Sequence, residues 1–237
     1  MPRIGMLTPS SNTVLEPVTA AMLRENPGIT AHFSRFKVTE IALSDAATGQ
    51  FAYEPILSAA ELLADARCDV IAWNGTSASW LGFDRDEELV RRIEQATGIR
   101  AATCVLGYRR LIRHLGLGKI GLVSPYTSDV QARIIDTWRG AGLHIAAETH
   151  LGLSDNFSFA TVTEEWIDDA LGRMAAAGCD SAVILCTNMR GALPAARHEA
   201  TLGIPILDSV AVTLWSALDT LGIDKRAFTQ WGRWFVA

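Results

Sequence analysis

Two stretches of this chain repeat one another. Arg3-Ile-Gly-Met-Leu-Thr-Pro9 and Lys119-Ile-Gly-Leu-Val-Ser-Pro125 align without a gap; Ile, Gly and Pro are identical and the remaining positions near-equivalent. A second echo pairs Asp69-Val-Ile-Ala-Trp-Asn-Gly-Thr76 with Asp180-Ser-Ala-Val-Ile-Leu-Cys-Thr187. Each is an acidic residue, an apolar strand, then a small residue and Thr. A third pairs Gly98-Ile99 with Gly203-Ile204, each opening a short strand and then a helix that ends at Leu115-Gly116 or Leu221-Gly222. Three echoes in the same order predict two similar halves related by a pseudo-twofold. At roughly 150 residues per domain, a chain of 237 is one large domain or two small ones. The repeat favours two: residues 1–115 plus 208–237 as an N-terminal half, and 116–207 as a C-terminal half.

The hydrophobic period switches between strand and helix along both copies. Strand-type runs lie at Ile4–Leu7, Thr30–Phe36, Val70–Trp73, Ile120–Val123, Ile145–Glu148, Ala182–Leu185 and Ile204–Leu207. Several are apolar at consecutive positions, which suits strands buried on both faces of a parallel sheet. Helical patterns run through Val14–Arg24, Glu54–Ala66, Asp84–Ala96, Val105–Leu115, Val130–Ala141, Glu164–Ala177, Ala192–Leu202 and Val210–Leu221. Asp84 and Glu87 have the spacing of a capping box. Gly98, Gly142, Gly178 and Gly222 stand where left-handed helix ends are expected. The predicted fold is α/β: two pseudo-symmetric, doubly wound, Rossmann-like parallel-sheet halves.

In such sheets ligands bind beyond the carboxyl ends of the strands. With the halves face to face, both sets of strand ends meet in one cleft. The loops at Pro9–Asn12, Gly75–Ser77, Pro125–Thr127, Asp155–Asn156 and Cys186–Asn188 are then the site loops. They are rich in Ser, Thr, Asn and Tyr and poor in charge. Neutral donors and backbone amides of this kind bind carboxylates, much as an oxyanion hole does. Net charge is −5, which lacks the basic face of a nucleic-acid binder. No apolar run reaches the ~18 residues of a membrane span. Met1–Leu7 lacks the features of a signal peptide, and four cysteines do not make a disulfide framework. A cytoplasmic protein with reduced thiols is expected, with no metal site.

Cys186 ends the apolar run Val183–Leu185 and precedes Thr187-Asn188. A thiol there suits a nucleophile or a proton donor, or a small buried hydrophobe. Cys68 and Cys179 hold matching places in the repeat, which argues for packing. Gly75-Thr76-Ser77 reads as a carboxylate cradle or as a strand-to-helix turn. Ser10-Ser11-Asn12 is the same kind of turn. Tyr126, after Pro125, offers a hydroxyl at a strand end. The five histidines are scattered, without an obvious dyad. Gly116, Gly118 and Gly121 fit a dinucleotide fingerprint as a string, but they precede their strand rather than follow one. Trp231 and Trp234 near the C-terminus would cover the core or a subunit interface, the latter making a homo-oligomer.

Taken together, Pro9-Ser-Ser-Asn12, Gly75-Thr-Ser77, Pro125-Tyr126, Asp155-Asn156 and Cys186-Thr187 resemble the Asp/Glu racemase superfamily, and within it the maleate isomerase and arylmalonate decarboxylase branch. The resemblance covers essentially the whole chain. It implies cofactor-free proton transfer beside a carboxylate, in a cleft between the halves. Racemases and maleate isomerases of the superfamily use two cysteines. Here the first position corresponds to Gly75 and the second to Cys186, which is the decarboxylase pattern. By that likeness Gly75, Thr76, Ser77 and Tyr126 hold one carboxylate, the other leaves as CO2, and Cys186 protonates the enediolate. Ser10, Asn12, Asn156 and Thr187 look like the isomerase side, where such residues hold a dicarboxylate. The expected activity is therefore a lyase on a small malonate-like or dicarboxylic acid. A cis–trans isomerase or racemase using Cys186 and a non-catalytic carboxylate-binding protein remain as alternatives.

Overall fold

The computed structural model describes residues 1–237. In chain order its regular elements are β1 (Arg3–Pro9), α1 (Leu15–Leu23), β2 (Thr30–Phe36), α2 (Asp45–Gly49), α3 (Tyr53–Asp65), β3 (Val70–Trp73), α4 (Ala78–Leu81), α5 (Phe83–Thr97), β4 (Ala101–Thr103) and α6 (Cys104–Leu115). They continue with β5 (Ile120–Ser124), α7 (Ser128–Gly140), β6 (Ile145–His150), α8 (Glu164–Ala176), β7 (Ser181–Ile184), α9 (Ala192–Leu202), β8 (Ile206–Asp208) and α10 (Ser209–Leu221). No helix is long and apolar enough to cross a membrane.

The strands form two four-stranded sheets, ordered β2-β1-β3-β4 and β6-β5-β7-β8. Every ladder is parallel. The two orders are one order, with β1, β2, β3 and β4 replaced by β5, β6, β7 and β8. The predicted α/β fold of two matching halves is what the chain adopts. The consecutive apolar runs become the interior strands: β3, β5 and β7 are buried at every residue. The edge strand β6 instead alternates between exposed and half-buried positions along most of its length, as a strand with one solvated face does. In each sheet the chain winds one way from the first strand to the second, then the other way from the third. The reversal falls between β1 and β3, and between β5 and β7, and opens a crevice at their carboxyl ends.

The repeated glycine has a packing role. A methyl group on Gly121 would lie 2.7 Å from two side-chain carbons of Met174, on α8. On Gly5 it would lie 3.0 Å from Leu63, on α3, and 3.2 Å from the Cys68 sulfur. In each half, glycine lets the covering helix close onto the first strand, and Cys68 is part of that contact.

Some details differ from expectation. The Asp84–Glu87 capping box does not form: α5 starts one residue earlier, behind Gly82 at φ +110°, without a side-chain cap. The last strand begins at Ile206 rather than Ile204; Pro205 just before it has no N–H to give a ladder. Gly98, Gly142, Gly178 and Gly222 do take left-handed conformations, at φ between +69° and +77°. Helix α10 returns to pack on α6, β3 and β4. The C-terminal tail instead lies on α9 and β8, where Trp234 Nε1 donates to the Ile206 carbonyl at 3.1 Å.

Gly121→Ala is expected to destabilise the protein by about 1–3 kcal/mol, because backbone faces Met174 across the contact and overpacking has no outlet. Urea unfolding of the variant against the parent measures this.

Candidate functional site

Where the crevices of the two halves meet, the site loops close on one cavity. It is lined by Pro9, Gly75, Thr76, Ser77, Tyr126, Asn156, Cys186 and Thr187, together with Val38, Ile41, Phe51, Trp73 and Trp80. Seven of the nine residues singled out from the sequence therefore stand together, drawn from both halves. Asn12 joins them one step back: its amide donates to Thr187 Oγ1 at 3.1 Å. Its carbonyl oxygen also caps the start of α1 through the amides of Val14 and Leu15.

Ser10 is the exception. It is exposed and does not line the cavity; its hydroxyl exchanges hydrogen bonds with the backbone of Val38, at 3.1 and 3.3 Å. It secures the wall of the site rather than its floor. Ser11 does the same more closely, donating to the Val38 carbonyl at 2.6 Å and receiving Asn156 Nδ2 at 2.7 Å.

Two groups dominate the floor. Tyr126 Oη and Thr76 Oγ1 are 2.7 Å apart, one from each half. The pair carries two hydroxyl protons and uses one between themselves, so the other is free to donate. The amides of Thr76 and Ser77 make no hydrogen bond within the protein, because the turn into α4 employs only the carbonyls there. These are spare donors beside a buried cavity, which is the condition for carboxylate binding. Burial pushes the Tyr126 hydroxyl well above its ordinary pKa, with the Cys186 thiol adding to the effect.

Cys186 is 3% exposed. Burial pushes its thiol up to about 12, against the opposing pull of the Asn188 amide, the Tyr126 hydroxyl and the Met189 amide. The Asn188 amide lies 3.4 Å from the sulfur. At neutral pH the side chain is a neutral thiol, with backbone donors in place to steady a thiolate once its proton has left. Asn188 also ties the halves together. Its Oδ1 accepts from the Thr13 amide at 2.9 Å, and its Nδ2 donates to the Asn156 carbonyl at 2.5 Å.

The cavity measures about 20 Å³, room for a single water. The wall that closes it is the segment 37–53, which carries Val38, Ile41 and Phe51. Gln50 staples that segment: its Oε1 accepts from the Thr39 amide at 2.7 Å, and its Nε2 donates to the carbonyls of Glu40 and Ala47 at 3.0 and 3.1 Å. The amides of Ile41 and Asn156 then bond across to Ser154 and Thr39, at 2.8 and 2.9 Å. The segment Phe36–Ile41 shapes the pocket through Val38 and Ile41. From Phe157–Val162 only Phe159 approaches, packing edge-on against Tyr126 with ring centroids 5.5 Å apart.

Trp73, Trp80 and Phe51 are not singled out by the sequence, and Asn188 stands there only as the end of a site loop. The aromatics read as core, and they are core; only the tertiary arrangement turns their edges to the cavity. The indole N–H groups of Trp73 and Trp80 are both buried without an acceptor.

The histidines hold one surprise. His150 Nδ1 is 2.9 Å from Glu148 Oε2, and its Nε2 is 2.9 Å from Ser128 Oγ. A dyad was thus present, and strand alternation could have revealed it, since residues two apart on β6 share a face. The three side chains stand on β6 and the start of α7, outside the cavity.

The family model for arylmalonate decarboxylase matches residues 6–235 of this chain. A maleate isomerase of Pseudomonas putida is 27% identical over 94% of this chain and 92% of its own. The arylmalonate decarboxylase of Bordetella bronchiseptica is 25% identical over 99% and 96%. Among solved structures, a cysteine-to-serine variant of the maleate cis–trans isomerase of Nocardia farcinica, with a covalently bound succinylcysteine intermediate, superposes with a TM-score of 0.89. It is 20% identical, over 99% of this chain and 98% of that one.

Two expectations follow from the geometry. Gln50→Ala should speed hydrogen exchange at the amides of Ile41 and Asn156 by at least about tenfold, read by exchange mass spectrometry, while β5 and β7 stay protected. Asp208 concerns pH. Burial pushes it up to about 7, although the amides of Val210 and Ala211 bond to it at 2.9 and 3.1 Å. The native state thus holds a proton that the unfolded chain, near its ordinary value of 3.8, has released. Its contribution to stability is full below about pH 4 and is lost as pH rises through about 7. Asp208→Asn keeps the cap and removes the titration, so unfolding free energy should fall less between pH 5 and pH 8 than in the parent.

Proposed function

We propose for this chain, which belongs to the arylmalonate decarboxylase family, a cofactor-independent decarboxylation of a small malonate-type acid with Cys186 as the proton donor. The observation that carries the reading is the pairing of one protonated, buried thiol with a neutral donor cradle. The repeat register sets Gly75 opposite Cys186, so only one half supplies an acid/base side chain at this position.

The chemistry follows from charge placement. The retained carboxylate accepts from the Thr76 and Ser77 amides and from the Thr76–Tyr126 hydroxyl pair. The bond between the α-carbon and the second carboxyl carbon breaks, CO2 leaves, and the electron pair enters the retained carboxylate as an enediolate. Preorganised donors stabilise that developing charge more than the ground-state charge, and one such donor contributes about 3 kcal/mol. The apolar wall of Val38, Ile41 and Phe51 offers the departing carboxylate no partner, which favours its loss as neutral CO2. The Cys186 Sγ–H proton then moves to the α-carbon. The thiolate left behind is steadied by the Asn188 amide and recovers a proton from solvent.

A second reading has its own support: the polar edge formed by Asn12, Asn156 and Thr187, and the likeness to maleate isomerases. There a cysteine thiolate would add to the double bond of maleate, as the succinylcysteine of the Nocardia farcinica enzyme illustrates for that protein. A thiol raised to about 12 stands against it as the resting form.

The test is to incubate the protein in D2O with arylmalonates, alkylmalonates and maleate. Expected are CO2 release and a single deuterium at the α-carbon, with Cys186→Ala lowering kcat by about 10²–10⁴ and ligand affinity staying within about tenfold. Conversion of maleate to fumarate without CO2 would establish the second reading instead; ligand binding without turnover would make this a binding protein. The pH profile separates the two chemistries independently. A thiol donor predicts kcat/KM flat between about pH 6 and about pH 9, since the donor stays protonated throughout. A thiolate nucleophile raised from the same value predicts a rise of about tenfold per pH unit.

A further inference from the structure

We propose that Trp73 confines proton transfer in this site to Cys186, because its indole occupies the seat that an acid/base side chain at residue 75 would need. The catalytic half of this inference rests on the decarboxylation reading above; the structural half does not.

The repeat sets the frame. Asp69–Thr76 and Asp180–Thr187 place Gly75 opposite Cys186 and Trp73 opposite Ile184. β3 and β7, which end at Trp73 and Ile184, hold equivalent places in the two sheets. Gly75 and Cys186 line the same cavity from opposite halves.

At Gly75 a side chain meets the indole at once. A Cβ there would lie inside van der Waals contact of Trp73 Cζ2 and Cη2, and 2.6 Å from Cε2. Backbone strain is not the reason for the glycine, which has no positive φ. The constraint is space. The indole has no room to swing aside: it is 1% exposed and packs against Phe36 and Phe51, with ring centroids 5.1 and 6.5 Å away. In the other half the same position is free. Ile184 turns its branches toward Gly191, where a Cβ would lie 2.7 Å from its Cγ2, and Cys186 keeps its side chain at the cavity.

The consequence is stereochemical. A planar enediolate held on the cradle meets a thiol on the Cys186 side. From residue 75 it meets an aromatic wall that carries no acid or base able to deliver or remove an α-proton. Such a site delivers product of one hand and does not racemise it. Trp73 is a specificity-determining residue here, not a catalytic one.

The test is a cycle of four proteins: the parent, Gly75→Cys, Trp73→Ile, and the double variant, which reproduces the Ile–Cys pairing of the other half. The first readout is the melting temperature, which needs no substrate. Gly75→Cys should lower it by at least about 4 °C in the parent, and by clearly less in the Trp73→Ile background. Equal losses in both backgrounds overturn the inference, since sites that do not touch add. The second readout is α-deuterium exchange from D2O into both enantiomers of the product acid. The double variant should exchange both at least about tenfold faster than Gly75→Cys alone. Equal exchange by the two, or none by the double variant while the parent releases CO2, overturns the catalytic half. If the parent releases no CO2, the failure lies with the decarboxylation reading, and the melting cycle alone decides the seat. Should Trp73→Ile not fold, Trp73→Phe keeps the aromatic cluster and serves as the relieved background.

Discussion

The hydrogen bond between Thr76 and Tyr126, 2.7 Å long and buried, is the contact on which the rest of the site depends. It joins the carboxyl end of β3 to that of β5, and so one half of the molecule to the other. Trp80 from the first half and Phe159 from the second pack edge-on against the Tyr126 ring, at 5.4 and 5.5 Å. Around this point run the other links between halves: Asn12 to Thr187, Thr13 to Asn188, Asn156 to Ser11. Tyr108 adds a link deeper down, its hydroxyl 3.1 Å from the Ile184 carbonyl. Three of these neutral hydrogen bonds are buried and two are partly buried, and an unmet partner in a buried one would cost more than the bond contributes. The halves are therefore held in the one arrangement that satisfies all of them, and that arrangement creates the cavity.

Dryness then sets the chemistry. The same burial that raises Cys186 to about 12 and pushes Tyr126 up keeps both neutral and proton-bearing. In low dielectric, a fixed N–H or O–H dipole stabilises new negative charge far better than it does in water. No charged side chain lines the cavity. The donors at the cavity already carry their protons, so binding an anion there would not depend on the acidic net charge of the chain.

The pseudo-twofold is kept at the helix-packing contacts and broken at the strand ends that line the cavity. Gly5 and Gly121 both admit a covering helix, and Cys68 and Cys179 both sit at the helix ends beside those contacts. At the strand ends, by contrast, Trp73 faces Ile184 and Gly75 faces Cys186 in the register. An acid/base on each side would suit a reaction that must be reversible at both faces of a carbon. One acid and one wall suit a reaction that adds a proton once.

Much of the architecture is legible in the sequence. Repeated strand motifs, consecutive apolar runs and glycines past helix ends are local signals, and backbone geometry reads them locally. They specified two matched parallel sheets and named the loops at their carboxyl ends, and seven of nine chosen residues line one cavity. What stayed hidden depends on distance in space. Ser10 reads as a substrate-binding residue and fastens the wall, because Val38 arrives beside it from the loop after β2. The Asp84–Glu87 spacing looked like a cap, but Gly82 starts the helix earlier. Trp73, Trp80 and Phe51 are indistinguishable in sequence from ordinary core aromatics. That Trp73 fills the space at Gly75 is a matter of a few ångströms between a side chain and a missing one. Periodicity determines which face a residue presents; only the packed tertiary structure decides what stands opposite that face.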